Sequence, residues 1–472
     1  MKHSRSLKSL DPPDTVREIV ARLEREGFET WCVGGAVRDA LLGHTHLDWD
    51  LATAATPDQV MKLFKRTVPV GVEFGTVGVL DRNRVMHEVT TFRRDVRTDG
   101  RHAEVEFGAS LDDDLARRDF TINAIAYHPK SEEIRDPFDG RLDLQRGVVR
   151  AVGTPDDRMR EDRLRALRAI RFAARFGFHI EPETWKAIAA SAPHLGRLSP
   201  ERVRQELEKT MEQVERPSVA LEWWRTSGAL AKLVPAIAEA PIERFLAVDY
   251  LPGVRGDESV KGEGRMVKGE GLAKGEWLAK GEGLAKGEGL AKGEEKGATL
   301  NRLAMLFFGE AGKTAEAATR ALRFSNADVS WITRLAATRH AIGHAMDGAL
   351  WAADPADAAV RRWVAAAGRT RTDAFISLSE ALWRAKLAQE PNPAVEARLA
   401  PLAARARQIA FRDPIELADL AVDGEDLRAV GIQPGRRLGR MLALLLDRVI
   451  EDPAQNTRER LLELARETTV AG

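Results

Sequence analysis

Apolar and polar positions change rhythm along this chain, and the changes mark its elements. Residues 14–27, DTVREIVARLEREG, carry a helical period, with Asp14 as cap and Gly27 as stop. Trp31, Cys32 and Val33 then form a short apolar run of the kind that makes a buried strand. Gly34 and Gly35 let the backbone turn and approach a ligand closely, and Ala36 to Leu42 returns to helical spacing. From 67 to 107 short alternating runs are separated by turn residues, predicting antiparallel strands. Residues 136–153, DPFDGRLDLQRGVVRAVG, read as turns and a short hairpin. From LSPERVRQELEKTM at 198–211, with Ser199 as cap and Pro200 at the first helical position, to residue 472 the pattern is helical. The fold class is therefore α+β: an N-terminal mixed sheet with a few helices, followed by an all-α region.

That helical region is interrupted. Copies of KGEGLA fill 268–297, with degenerate copies from 261, and eleven of the 37 residues in 261–297 are glycine, so no stable helix is expected there. Pro391 and Pro393 break the helical pattern again. The 472 residues leave room for about three domains. With 72 basic and 72 acidic residues, any affinity for nucleic acid must come from a local patch. A single cysteine, Cys32, excludes an intramolecular disulfide and a cysteine-rich zinc site, and its place in an apolar run predicts a core residue. No apolar leader-like run and no stretch of 18 apolar residues occurs, so the expected location is the cytoplasm and no membrane is expected.

The chemistry concentrates in TWCVGGAVRDALLGHTHLDWDLAT, residues 30–53. A strand, a glycine turn and a helix aim free backbone N–H groups at one point, which suits a phosphate. No Gly-Lys-Ser/Thr follows, so this is not a P-loop. In LDWDLAT the period of a strand sends Asp48 and Asp50 out of the same face. Two adjacent carboxylates repel unless a divalent cation such as Mg²⁺ lies between them. Alone, such a pair can equally be a solvated strand edge; beside a glycine turn it points to phosphoryl or nucleotidyl transfer. Glu88 could be a third carboxylate or the partner of a cross-strand arginine.

Two further strings follow in order. ARRDFTINAIAY, 116–127, sets Arg117, Arg118 and Asp119 before an apolar run, with Thr121 or Asn123 able to hydrogen-bond a ribose, although such a cluster can also be a solvated cap. RMREDRLRALRAIRFAARFGF, 158–178, holds seven arginines and two acids between 158 and 175. Read as one amphipathic helix, it places Arg165, Arg168 and Arg171 on one arc and Leu167, Ile170 and Ala174 on the other. Composition alone makes this a solvated face or an RNA-backbone patch. At i and i+3, however, Asp162 and Arg165 can face a base edge as one acceptor and donor unit. Near the other end, Pro434 and Gly435 open a helix bearing Arg436, Arg437 and Arg440, suited to phosphates or to an ordinary surface.

These strings together resemble the motifs of the class II nucleotidyltransferases, the branch of the polymerase-β-like superfamily holding bacterial CCA-adding enzymes and poly(A) polymerases. The resemblance is strong over about 28–215 and weak beyond. It implies a catalytic head over 28–153, a helical neck and body over 154–250 for nucleotide selection and RNA binding, a repeat insertion over 255–298, and a tRNA-binding body and tail over 299–472. Asp48 and Asp50 would bind two Mg²⁺ ions, and Gly35, Arg38 and Arg118 would contact the nucleotide. Asp162 and Arg165 would select C or A, with Arg168 and Arg171 as further nucleotide contacts. Residues 88–105 fall where the family has a loop needed to switch from C to A addition, and the loop is unshortened here. The implied function is addition of C, C and A to tRNA 3′ ends from CTP and ATP. The alternatives are poly(A) synthesis, addition of only CC or only A, and, more remotely, RNA binding without catalysis. No His-Asp dipeptide occurs, so the metal phosphohydrolase domain of some members is not expected.

Overall fold

The apolar run and the LDWDLAT stretch build the middle of a mixed sheet. The computed structural model describes residues 5–45, 48–98, 103–253 and 285–470. Helix α1 (Asp14–Arg25) opens with Pro13 at the capping position, so Asp14 adds charge to the first turn and makes no cap bond. Gly27, at φ +82°, ends it as expected. In order follow β1 (Thr30–Val33), α2 (Gly35–Leu41), β2 (Asp50–Thr53), α3 (Pro57–Leu63), β3 (Thr67–Gly71), β4 (Thr76–Leu80) and β5 (Met86–Thr91). Next come a separate hairpin, β6 (Arg93–Thr98) with β7 (Ala103–Phe107), then α4 (Leu111–Ala116), β8 (Ala126–His128) and β9 (Glu133–Arg135).

The sheet order is β3-β4-β5-β2-β1-β8-β9. Only β2 and β5 run parallel; the other pairs are antiparallel. Side chains alternate across it. Cys32, Leu51 and Val89, adjacent in register, lie on one face and are buried. Burial pushes the Cys32 thiol well above its ordinary value, as befits an inert core residue. On the opposite face, Trp31, Val33 and Ala52 pack with Phe92, Leu111, Leu115, Ala124, Ala126 and Val152. Asp50 and Glu88 share that second face, one register position along.

Residues 136–153 are not a hairpin: α5 (Gly140–Arg146) forms, because the Asp136 carboxylate accepts from the N–H groups of Gly140 at 2.7 Å and Arg141 at 2.9 Å. A Cβ at Gly140 would collide with the Thr121 carbonyl oxygen, so glycine lets the start of this helix close on the turn at 121–123. The following strand β10 (Val148–Val149) pairs in parallel with β11 (His179–Ile180). Nor is 158–178 one helix. It divides into α6 (Pro155–Glu161) and α7 (Leu164–Phe176), with Asp162 extended at φ −145° and ψ 107°. Helices α8 (Pro182–Ser191) and α9 (Pro200–Gln213) follow, and α9 begins as read, with the Ser199 hydroxyl accepting from Arg202 N.

Met1–Pro235 forms one compact unit, and Ala236–Gly253 with Lys292–Gly472 forms another. The first therefore holds both the sheet and the helices α6 to α9. Described residues of the second are helical; Pro393 starts a helix that Asn392 caps, and Gly435, at φ +104°, precedes Arg436–Glu451. Most of the repeat lies outside the described residues. From Ala285 onward, though, the backbone is helical as far as Phe307, against the expectation for 261–297. Leu303 to Phe307 are buried and anchor this helix, and propagation from an anchored end costs little per residue. Among the described residues no helix is long and apolar enough to cross a membrane.

Candidate active site

Strand β1 ends at Val33 and delivers Gly34 to a turn at φ +75°, a conformation that a side chain would strain. Space is short as well. A Cβ on Gly34 would come within 2.8 Å of Arg118 Nη1, so the guanidinium lies directly against the turn. Arg118 is held there from behind: its Nη2 donates to Asp114 Oδ2 at 3.1 Å, while Arg117 donates to Asp114 Oδ1 at 2.8 Å. Asp114 is 1% exposed. Burial alone would raise its carboxyl, but Arg118 and Arg117 outweigh that and hold it below the usual range. Arg118 Nε is shut off from solvent with no hydrogen-bond partner among the described residues, which leaves donor capacity unspent.

Beside this turn stands Asp50, the first residue of β2 and half-buried. Burial first, then the Glu88 carboxylate, raise its carboxyl from 3.8 to about 6; Arg118 pulls it down, and Asp48 adds to the rise. Asp48 itself is exposed and lies before the strand, so the shared face expected from strand periodicity does not arise in that way. The two carboxylates still sense one another. Glu88 pairs across β4 with Gly78 and stands next to Asp50 in the parallel register, which places a third carboxylate, and no cross-strand arginine, at this point. A carboxylate crowded by two others offers donors suited to a hard divalent cation. Among the described residues no three acidic, histidine or cysteine side chains already sit at ligating distance, so such an ion would take further oxygens from substrate or water.

Other expected nucleotide contacts are engaged by protein. Gly35 begins α2 at the turn, in ordinary contact with Arg38. Arg38 is 4% exposed, donates to Asp39 at 2.7 Å and to Asn123, and lies over the rings of Phe172 and Phe176, each 4.9 Å from its guanidinium carbon. It is a strut between α2, the turn at 121–123 and α7. Thr121 and Asn123 are buried too; the former donates to Asp143 at 2.7 Å and the latter to Asp119 at 2.8 Å.

The arginine row of α7 is not a solvated face. Arg165 donates to Glu161 at 2.6 Å and to the Arg117 carbonyl at 3.0 Å, so its acidic partner is Glu161 and not Asp162. Arg168 pairs with Asp119 at 2.7 Å. Burial would raise Asp119, but Arg168 and Asn123 hold it low. Arg171 donates to Glu206 at 2.5 Å and to Gln213 at 2.9 Å, with the pair's side chains 4% and 2% exposed. Removing one member of a buried pair leaves the other charge stranded, at about 3–5 kcal/mol. Arg171→Ala should therefore lower the melting temperature steeply, and a calorimetric change within experimental error would return Arg171 to the ligand-facing set.

Asp162 differs from these. One carboxylate oxygen accepts from Leu164 N at 3.0 Å and starts α7; the other accepts from Arg202 Nη2 at 2.7 Å. Its side chain keeps 30% exposure, and each oxygen retains acceptor capacity. Sequence reading missed Asp114, Asp119, Glu161 and Arg202 as the groups that fix these side chains. Asp114 and Glu161 carried a local signal, Asp114 standing three and four residues before Arg117 and Arg118 and Glu161 four residues before Arg165.

Residues 30–150 match the poly(A) polymerase head domain, 177–240 the RNA and SrmB-binding region of polymerase A, and 369–465 tRNA nucleotidyltransferase domain 2. A CCA-adding enzyme of Leuconostoc mesenteroides is 48% identical over 195 residues, which is 41% of this chain and 48% of that protein. One from Lactiplantibacillus plantarum is 42% identical over 247 residues, covering 50% and 59% respectively. The chain thus spans about half the length of the curated relatives it matches. The solved Bacillus stearothermophilus CCA-adding enzyme in complex with CTP superposes with a TM-score of 0.65 at 27% identity, over 98% of this chain and 99% of that one. The glycine turn, the crowded carboxylates and Arg118 thus come together within the segment that matches the poly(A) polymerase head domain, and the chain is similar to CCA-adding enzymes there.

Proposed function

We propose that this protein adds C, C and A to the 3′ end of tRNA, using CTP and ATP and no nucleic-acid template. The observation that carries the reading is the convergence of Asp50, Glu88, Asp48 and Arg118 beside the Gly34 turn. Asp48 and Asp50 would hold Mg²⁺, with Glu88 alongside; when bound, the ion supplies Lewis-acid stabilisation of the triphosphate and acidifies the acceptor hydroxyl. The Gly34–Gly35 turn admits a phosphate close to the backbone, and Arg118, backed by Asp114, offers its positive charge to the oxygens that gain charge in the transition state. The acceptor 3′ oxygen bonds to the α-phosphorus, the bond to the β-phosphate oxygen breaks, pyrophosphate leaves with the electron pair, and the hydroxyl proton is lost to solvent. Asp162 would accept from the exocyclic amine of C or A; at that position of the base edge U and G carry a carbonyl oxygen instead. Arg38, Arg168 and Arg171 would act by positioning, since their guanidinium groups already have acidic or amide partners. The domain roles follow the boundaries at 28–153, 154–250 and 299–472.

A shallow cavity of about 500 Å³ lined by Arg436, Gly439, Arg440 and Ala443 marks the helix expected to grip RNA phosphates. Replacing Arg436, Arg437 and Arg440 by Ala should weaken tRNA binding and reduce the slope of log affinity against log salt by roughly one unit per lost phosphate contact. An unaltered slope would make this an ordinary surface. The function itself is tested by giving the purified protein labelled CTP and ATP with a tRNA that ends before CCA, with and without Mg²⁺. Incorporation that chelation abolishes is expected; protein that binds the tRNA but incorporates nothing would overturn the reading.

A further inference from the structure

Six of the eleven exposed large hydrophobic side chains among the described residues fall between Val68 and Phe107, so exposed apolar surface is concentrated at one end of the sheet. Val68 and Val70 on β3 and Met86 on β5 are 37%, 40% and 42% exposed. All three flank Gly78 of β4, which pairs with Val68 on one side and with Glu88 on the other. A Cβ built on Gly78 would stand 2.8 Å from Met86 Sδ and 3.0 Å from Val70 Cγ2, so these two side chains close over the glycine and make a continuous apolar floor. The opposite face of the same strands is core: Val77, Val79, His87 and Val89 are buried. The floor therefore belongs to the face that carries Glu88 and Asp50, immediately beyond Glu88.

Sheet order gives this floor a place in the reaction. Along β1, β2, β5, β4 and β3 lie, in turn, the Gly34 turn with Arg118, then Asp50, then Glu88, then Gly78, then Val68 and Val70. In-line displacement puts the attacking oxygen and the leaving pyrophosphate on opposite sides of the α-phosphorus. If the triphosphate lies at the Gly34 turn, as the proposed function has it, the attacking hydroxyl arrives from the side of β5 and β4. We infer that the floor of Val68, Val70, Gly78 and Met86 seats the terminal nucleoside of the RNA acceptor. Its chemistry suits a changing occupant. The acceptor ends in a different base as each nucleotide is added, and an apolar surface holds any base by its π-face where hydrogen bonds would hold only one.

This inference rests on the function proposed above, and the test separates the two. The full chain and a Val70→Ser/Met86→Ser double variant are compared on three tRNAs ending at the discriminator base, at C and at CC, with nucleotide at saturation; Met86→Leu serves as the conservative variant, and melting temperature and sedimentation check folding and assembly. For the double variant, kcat/KM for tRNA should fall about tenfold, by a similar factor on all three ends, with the KM for CTP and ATP unchanged and Met86→Leu near wild type. Unchanged kcat/KM on an active wild type overturns the inference alone, as does a loss confined to one terminal base, which would mean base-specific reading. Wild type that sediments as a dimer, with a monomeric variant of unaltered kinetics, would assign the face to a second copy of the chain. Wild-type protein that adds no nucleotide to any end overturns the proposed function and the inference with it.

Discussion

Asp50→Asn should cut nucleotide incorporation by roughly two to three orders of magnitude, the loss seen when one group stabilising transition-state charge is removed, while the melting temperature holds or rises. The second half follows from the first half's cause. Asp50 is raised to about 6 because burial, Glu88 and Asp48 all disfavour its charge, so the ionised side chain costs the metal-free fold stability above its ordinary pKa. An amide of the same shape removes that cost. Affinity for tRNA should stay near wild type, since phosphate contacts are expected elsewhere. Loss of activity accompanied by a fall in melting temperature of several degrees would show instead that Asp50 supports the fold.

The second large effect is on nucleotide choice. Asp162→Ala should let UTP and GTP become measurable substrates, with selectivity for C or A over the wrong bases lowered by one to two orders of magnitude, since each mismatched polar contact is worth about 1–3 kcal/mol. Asp162 also accepts from Leu164 N, the first residue of α7, so the alanine variant alone would mix lost reading with a loosened helix start. Asp162→Asn separates them: its amide oxygen can still accept from Leu164 N, while its NH₂ group presents donors to the base amine and to Arg202. Both variants should misincorporate, and only the alanine should lower stability, by about 1 kcal/mol as for lost helix caps. Faithful incorporation by the asparagine variant would remove Asp162 from base selection.

What could be read from the sequence was local. The apolar run, the glycine pair and the return to helical spacing each lie within a few residues, and β1, the Gly34 turn and α2 form where those signals stand. Ser199-Pro200 likewise starts a helix by a contact three residues apart. The arginines were a different matter. Periodicity put Arg165, Arg168 and Arg171 on one arc, and only Arg165 has its acidic partner nearby, Glu161; Asp119 lies 49 residues from Arg168, and Glu206 lies 35 residues from Arg171. No local pattern distinguishes a guanidinium facing solvent from one facing a buried carboxylate. The break at Asp162 was hidden for a related reason, because a carboxylate that bonds Leu164 N and Arg202 competes with the helical continuation that spacing alone favours. Glu88 stands beside Asp50 only because β2 and β5 run side by side and parallel, a pairing set by the whole sheet.

Addition of C, C and A is read out by product length. A tRNA that ends before CCA is incubated with the wild-type protein and resolved at single-nucleotide resolution after addition of CTP alone, ATP alone, or both, beside the same tRNA already ending in CC. Two additions and a stop are expected with CTP alone, none with ATP alone on the shorter tRNA, one with ATP on the CC end, and three and a stop with both. A lengthening ladder of A on either substrate, or arrest at CC in the presence of ATP, would contradict it.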